Sequence, residues 1–157
     1  MAWIKAVEAK PVKPIPIGVT YTNNVTKQAP MATQDEAFNE IETINTKNTN
    51  SLTIKLDYDV KVYASGSSGN WSSSATNDTT FTVNVNGSNY LSVRLNVTSN
   101  NNGWETNSGT RTVTVTGLPN GNCSIEYNIY VHSMTQNGEQ DDPKAESNLK
   151  FTILSAT

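Results

Sequence analysis

Apolar and polar residues alternate along most of this chain, which is the period of a β-strand with one buried and one solvated face. The clearest run is "SLTIKLDYDVKVYA", residues 51–64. One phase of this run holds Leu52, Ile54, Leu56, Tyr58, Val60, Val62 and Ala64. The other phase carries mostly Thr, Lys and Asp, so we predict a strand whose first set of side chains faces a core. The Asp and Lys residues of the second set are predicted to be solvated surface.

Similar runs recur at regular spacing along the rest of the chain. They are "TTFTVNV" (79–85), "YLSVRLNV" (90–97), "TVTV" (112–115), "CSIEYNIYVHS" (123–133) and "LKFTIL" (149–154). Asn86-Gly87 tolerates positive φ and predicts a tight hairpin between the first two. About seven strands joined by Gly, Asn and Pro turns, without long helices, are typical of a sandwich. We expect an all-β, antiparallel immunoglobulin-like β-sandwich, with a jelly roll as the alternative.

The segment "TQDEAFNEIETIN", residues 33–45, fits two structures. Thr33 and Glu36 resemble a helix capping box, and Ala37, Ile41 and Ile44 would share one helical face. The β-branched residues and Asn of its second half favour a first strand over about residues 40–46 instead. The strand is the preferred interpretation.

Residues 1–37 have a different character from the rest. "PVKPIPIG" contains Pro11, Pro14 and Pro16, which fix φ and lack a donor, so this piece is extended rather than sheet interior. We expect an N-terminal arm over residues 1–37 and the sandwich domain over residues 38–157. The arm either frays or anchors the chain on a partner, and its apolar residues favour anchoring: Trp3, Ile4, Val7, Ile15, Ile17 and Val19.

The amino-acid composition limits the classes of partner that this chain is expected to bind. Only 16% of residues are charged and the net charge is −3, which argues against nucleic acid, because phosphates require a basic face. The polar surface is mainly Asn, Thr and Ser, which suits packing against neighbours since few charges must be desolvated. Neither a signal-peptide pattern nor an apolar run of membrane length occurs. We therefore expect synthesis in the cytoplasm and no membrane partner.

Catalytic and metal chemistry have little support. One cysteine, Cys123, and one histidine, His132, make neither an intrachain disulfide nor a zinc site. Cys123 is expected to be a small buried residue. His132 is out of phase with Ile129 and Val131, and is expected on the solvated face. The acidic loop at residues 137–143 lacks the spacing of a calcium loop. We predict no enzyme, no catalytic residue, no metal and no cofactor.

Two tryptophans lie in stretches rich in Gly, Ser and Asn: Trp71 in "SGNWSSS" and Trp104 in "NNGWETN". A large aromatic side chain beside turns commonly folds back to close the end of a core. The alternative is a platform on which a sugar ring stacks. Trp71 and Trp104 are therefore the candidate glycan contacts.

The order of these features resembles the immunoglobulin-like modules of bacteriophage structural proteins. In the tail and baseplate proteins of phages of Gram-positive hosts, a long alternating strand precedes a Gly-Trp-Ser loop, an "INGxxY" turn and a "TVTVxHNADG" hairpin. The corresponding pieces here are residues 69–72, "VNVNGSNY" and "TVTVTGLPNG", where "GLPNG" replaces "HNADG". The resemblance covers roughly residues 48–132.

This resemblance implies a non-enzymatic virion structural protein, present in multiple copies and made in the host cytoplasm. It would be a tail, baseplate or capsid decoration component. Its arm would dock on the capsid or tail lattice, with the sandwich outward. The implied partners are other virion proteins and further copies of the chain. The alternative is a carbohydrate-binding module that grips host surface glycans through Trp71 and Trp104.

Overall fold

The computed structural model describes residues 12–28, 33–64, 74–100, 103–136 and 144–157. The strands in these ranges are β1 (Thr20–Gln28), β2 (Thr33–Asn45), β3 (Ser51–Ala64), β4 (Ser74–Val85), β5 (Ser88–Ser99), β6 (Gly103–Thr116), β7 (Asn122–Gln136) and β8 (Lys144–Ala156). The predicted all-β class is confirmed, and residues 33–45 form a strand. Within the described ranges we find no helix of the length and apolarity that crossing a membrane requires.

The strands form two four-stranded antiparallel sheets, in the orders β1-β8-β3-β6 and β2-β7-β4-β5. The pairs β4–β5, β3–β6, β2–β7 and β1–β8 are nested around one turn, as in a long hairpin. Folding that hairpin over adds the pairs β3–β8 and β4–β7. The predicted antiparallel sandwich is confirmed.

The connectivity distinguishes the two sandwiches that the sequence suggested. In an immunoglobulin sandwich the first two strands belong to the same sheet. Here β1 and β2 lie in different sheets, and eight strands form two sheets of four. This double-sheet arrangement is that of a jelly roll, the alternative in the sequence analysis.

The turn at the tip of the long hairpin is built from the two residues that the sequence indicated. Asn86 and Gly87 have φ of 49° and 81°, as a two-residue hairpin turn requires. The backbone of Asn86 donates to the carbonyl of Ser124, and the Asn86 side chain accepts from the Ser124 N–H at 2.9 Å. These bonds attach the hairpin tip to β7 and help to set its register.

The core lies between the sheets and is supplied by alternate residues. On β3 and β7 the buried hydrophobic residues are Leu52, Ile54, Leu56, Val60, Val62, Ala64, Cys123, Ile125, Tyr127, Ile129 and Val131. Tyr58 shares that phase but is half-buried. Full burial of one such aliphatic side chain stabilises the fold by about 1.5–3 kcal/mol. The predicted period-two faces of β3 and β7 are confirmed.

A buried polar cluster links the two sheets within this core. The Asn77 amide on β4 donates to the carbonyl oxygens of Lys61 and Glu146, at 3.0 and 3.2 Å, and to the Ser147 hydroxyl. Thr79 donates to Asn77 Oδ1 at 2.9 Å. Because a buried amide without partners would be costly, this network fixes the position of β4 against β3 and β8.

The boundary between arm and sandwich differs from the prediction of residues 1–37. Residues 20–28 pair with β8 over their whole length, and β2 begins at Thr33, so both belong to the sheets. Residues 20–28 are rich in Thr and Asn, and they pair with residues more than 115 positions away, so their local sequence does not indicate a strand.

Residues 12–19 turn at Ile17–Gly18 and cross from one sheet to the other. Lys13 forms a parallel bridge with Ile44, through bonds to Thr43 O and from Asn45 N. Gly18, at φ 79°, donates to the carbonyl of Ile153 on β8 at 2.8 Å. Residues 12–19 are the described part of the predicted arm that precedes β1, and the name arm is used for them from here on. The arm is attached to both β2 and β8.

Candidate functional site

The single cysteine and the single histidine lie apart in the structure and do not form a catalytic pair with a described partner. Cys123 is buried, and its Sγ lies 3.6 Å from the Thr46 hydroxyl, which also donates to the carbonyl of Gly121. His132 is half-buried on β7, and its Nδ1 is buried without a hydrogen-bond partner among the residues that the structure describes. Across those residues, no three His, Cys, Asp or Glu side chains cluster as metal ligands. The acidic loop at residues 137–143 lies outside the described ranges.

The arm divides its predicted anchoring residues between two environments. Ile15 packs against the core, whereas Ile17 is 55% exposed and Val19 is similarly open. Both flank Gly18, whose N–H bonds to the carbonyl of Ile153, next to the exposed Leu154 of β8. Ile17, Val19 and Leu154 form what we call the arm patch. The other predicted anchoring residues, Trp3, Ile4 and Val7, lie outside the described residues.

A groove of about 710 Å³ runs between the arm and the end of the sandwich. Val12, Ile15 and Ile17 line its arm side, and Asn45 and Lys47 are among the residues opposite. Its charged lining residues are Lys13 and Lys47. The groove is therefore apolar on the arm side and weakly cationic overall.

Trp104 is on a strand and not in a loop. It lies on β6 directly opposite Tyr63 of β3, with ring centroids 5.5 Å apart at 47°. The side chain is 46% exposed. The expectation that it folds back to close the end of the core is therefore wrong. It forms an exposed aromatic pair on the outer face of its sheet. The other tryptophan, Trp71, is outside the described residues.

The central part of that outer face, on β3 and β6, is polar and internally paired. Lys55 and Lys61 form ion pairs of 3.0 Å with Asp57 and Asp59, respectively. The Thr110 hydroxyl donates to Asp57 at 2.5 Å. These contacts, the bond from Thr110 first and that from Lys55 second, lower the pKa of Asp57. The two aspartates are held by lysines and hydroxyls, as expected of solvated surface and not of an acid–base pair.

A buried carboxylate was not anticipated from the sequence. Glu42 of β2 is only 8% exposed, and its Oε1 accepts a 2.9 Å hydrogen bond from the Tyr21 hydroxyl. Burial, and then that bond, raise the pKa of Tyr21. Burial, and then Glu42, raise the pKa of Tyr127. Both phenols therefore stay protonated at neutral pH, and the Tyr21 hydroxyl serves as a structural donor to Glu42. The available signal was that Glu42 shares a strand phase with Ile44.

Sequence comparison leaves the chain without assigned relatives. No protein-family model matches it, and no curated protein matches it.

Comparison of structures gives a likeness in fold. The structure of the Gx strain of infectious bursal disease virus matches with a TM-score of 0.51 and 10% identity, over 86% of this chain and 32% of that chain. The structure of the Gt strain matches with a TM-score of 0.49 and 13% identity, over 87% of this chain and 33% of that chain. The crystal structure of the VP2 subviral particle of the same virus matches with a TM-score of 0.46 and 14% identity, over 86% of this chain and 32% of that chain. This chain thus spans about a third of the chains that it matches. The first likeness supports a shared β-sandwich fold.

Proposed function

We propose that this chain is a non-enzymatic structural protein of a virus particle. The observation that carries the proposal is the wrapped hairpin of two four-stranded sheets, which resembles the structure of infectious bursal disease virus. Double-sheet jelly rolls recur in viral capsid and lectin domains. Because a fold alone does not define a function, the proposal also draws on the surface described above.

The surface suits repeated packing against neighbours. Thr is the commonest residue on the outer face of the β1-β8-β3-β6 sheet, and Asp57 and Asp59 on that face are paired with lysines. A partner that covers this face therefore has few unpaired charges to desolvate. Such a surface fits a component present in many copies, as the resemblance to bacteriophage tail, baseplate and capsid decoration proteins also implies.

The arm patch is the proposed point of attachment to the particle. Ile17, Val19 and Leu154 expose apolar area beside an extended segment whose N-terminal continuation carries Trp3, Ile4 and Val7. An extended segment contacts a large surface with few residues, and a stable interface requires roughly 800 Å² per partner. The sandwich then faces outward from the capsid or tail lattice.

The test is co-sedimentation with particles purified from the source culture. We expect the wild-type chain to sediment with them in many copies, as quantified by mass spectrometry. Its absence from purified particles would overturn the structural role. The double variant Ile17→Asp/Val19→Asp should lose at least about tenfold of its particle-bound fraction, because two carboxylates would be buried at the contact. The matched control is Ser92→Asp, an exposed position on β5. Equal sedimentation of all three would overturn docking through the arm but not the structural role.

A second candidate function, glycan binding, is favoured by the exposed Tyr63–Trp104 pair. Aromatic rings on a polar surface suit a sugar, since one ring face stacks and neighbouring polar groups take the hydroxyls. Lys61 precedes Tyr63 in the same strand phase, with Thr106 opposite. Trp104→Ala should abolish binding of purified host-surface polysaccharide in calorimetry, while Trp104→Phe retains part of it. Unchanged binding in Trp104→Ala would reject this site.

A further inference from the structure

Strand β6 is the outer edge of its sheet, with β3 on one side and no strand on the other among the residues that the structure describes. Its 14 residues pair with β3 without a register shift, from Ser51↔Thr116 to Ala64↔Gly103. The other edge strands are shorter or less regular. β1 has 9 residues, β2 has a bulge between Glu36 and Phe38, and the β4–β5 pairing shifts between Val83 and Asn84.

A long regular edge presents a row of unpaired backbone groups to any strand that can add to it. Proteins commonly protect such edges with lysine, proline or bulges. The sequence of β6, "GWETNSGTRTVTVT", has no lysine and no proline. In the described structure, Val115 is its one buried residue. The free edge of β6 can therefore accept a further β-strand.

The charged residues of β6 indicate which strand is complementary to it. Glu105 and Arg111 are its two charged residues, they share one phase of the strand, and Ser108 lies midway between them. Neither forms an ion pair within the described structure, and the Arg111 guanidinium lies over the Tyr58 ring at 5.4 Å. An antiparallel copy of the same strand, centred on Ser108, would place each glutamate opposite the other copy's arginine.

We propose that β6 pairs antiparallel with β6 of a second copy of this chain, with a two-fold axis at Ser108. The two β1-β8-β3-β6 sheets then join into one continuous eight-stranded sheet. Isologous contacts of this kind satisfy each interaction twice. Here the repeated interactions are two Glu105–Arg111 ion pairs on the face directed toward the second sheets.

The local geometry leaves room for this pairing. Glu105, Gly109 and Arg111 are exposed, although they belong to the set of β6 residues on the side of the sheet that faces the second sheet. Asn107, which faces Gly109 of the other copy in this register, donates its side-chain amide to the carbonyl of Asn96 on β5 at 3.0 Å. Its side chain is therefore held away from the edge. In this register each residue lies opposite a residue of the same strand phase. The backbone N–H and C=O groups that point away from β3 in one copy therefore face those of the other copy.

The proposal requires only this strand, and it stands or falls independently of the proposed role in a virus particle. An arrangement of this kind would give the chain a paired building block, whatever larger structure it enters.

Disulfide trapping tests the register directly. Directly opposed residues in an antiparallel pair have Cα atoms about 4.5 or 5.5 Å apart, which a disulfide spans. Ser108→Cys should therefore cross-link to a dimer under mild oxidation of the full-length chain. Thr106→Cys is the matched control, because in this register its two copies lie roughly 14 Å apart. Cys123 is buried and does not compete. Failure of Ser108→Cys to cross-link, or equal cross-linking of both variants, would overturn the proposal.

Charge exchange tests the ion pairs. Glu105→Arg and Arg111→Glu each place like charges opposite one another at both ends of the pairing, which is destabilising. Each single variant should raise the dimer dissociation constant by about tenfold or more in sedimentation equilibrium. The double variant Glu105→Arg/Arg111→Glu restores opposite charges and should return to near the wild-type constant. A double variant as weak as the singles would show that these residues do not face each other.

Discussion

On one side of the sandwich, the edge strands β1 and β2 are joined by aromatic and polar contacts, whereas on the other side β6 remains exposed. The Tyr21 ring stacks on Phe151 at 4.6 Å, and its hydroxyl reaches Glu42. Phe151 also contacts Phe81 and Tyr127, at 5.1 and 5.0 Å between centroids. We call this side, together with the arm that crosses it, the closed side.

The other side, between β5 and β6, is called the open side. Asn107 bonds to the backbone of β5, but Glu105, Gly109 and Arg111 of the same phase are exposed. The two sides differ in the side chains that are available for burial. The closed side has large aromatic rings between the sheets, whereas on the open side the Trp104 ring lies on the outer face and β6 otherwise carries mainly Thr, Ser, Asn and Gly. Burial of rings stabilises one side within the monomer. The open side gains little from its own chain, so it is available to a partner.

The largest expected effect is that of Phe151→Ala on the closed side. Removing this fully buried ring leaves a cavity among three aromatic neighbours, so the free energy of unfolding should fall by about 3–5 kcal/mol. Trp104→Ala, the control on the open side, removes an exposed ring and should cost less than about 1 kcal/mol. Guanidinium denaturation followed by circular dichroism measures both. Similar losses in the two variants would contradict the distinction between the sides.

Removal of one hydroxyl from the closed side should have the next largest effect. Tyr21→Phe keeps the ring stack but withdraws the donor from the buried Glu42 carboxylate, which should cost about 1–3 kcal/mol. Thr20→Val is the neighbouring control, because it removes an exposed hydroxyl bond to Thr152. That change should stay within about 0.5 kcal/mol. A Tyr21→Phe variant as stable as wild type would mean that Glu42 finds another donor.

A glycine-to-alanine pair compares the backbone of the two sides. Gly18 has φ 79° and nothing near its Cβ position, so Gly18→Ala should cost about 1–2 kcal/mol through left-handed strain alone. On the open side, Gly109→Ala would place a Cβ 3.1 Å from the Tyr58 hydroxyl, the movable end of a side chain. Its cost should be below about 0.5 kcal/mol. Thermal unfolding of the two variants measures the difference, and a larger effect at Gly109 would show that Tyr58 cannot move.

The smallest expected effect is pH-dependent and lies on the exposed face. The bonds from Thr110 and Lys55 lower the pKa of Asp57 below its ordinary value. A carboxylate with a lowered folded-state pKa contributes stability above its unfolded pKa of about 4, and that contribution is lost as the pH falls through the folded value. Thr110→Val should therefore cost less than about 0.5 kcal/mol at pH 6, because the pair is solvated.

The same cost should be smaller at about pH 2 than at pH 6, because the contribution is lost as the pH falls through the lowered folded-state pKa of Asp57. Urea denaturation at the two pH values measures this change. Thr112→Val, the next outward position on β6, is the control and should show no such pH dependence. A Thr110→Val effect that grows in acid would contradict the assigned role of the hydroxyl.

The strands with a strong pattern were predictable, and those with a weak pattern were not. β3 and β7 alternate over more than ten residues, and their inward side chains are buried as expected. β1 reads "TYTNNVTKQ", in which Tyr21 is an isolated aromatic residue among Thr and Asn. Its pattern is too weak to predict a strand, and it was assigned to the arm.

The candidate site residues show the same limit. Ile17 and Val19 were predicted as anchoring residues and are exposed, but their use remains a proposal. Trp104 was predicted beside a turn, and its place on β6 became evident from its pairing with Tyr63. Local composition suggested a loop because Gly103 and the preceding asparagines disfavour strands.

The sequence by itself determined the local elements: where the chain extends, which face of a long strand is apolar, and where Asn86-Gly87 turns. These depend on residues within a few positions of one another. Tertiary structure alone decided which strands share a sheet, because Thr20 pairs with Thr152 and Ser51 with Thr116 across long separations. It likewise decided that β1 is a strand, that Glu42 is buried and that β6 is an open edge. A strand without a clear alternation of apolar and polar residues forms only when a distant strand supplies its hydrogen-bond partners, so the local sequence does not predict it.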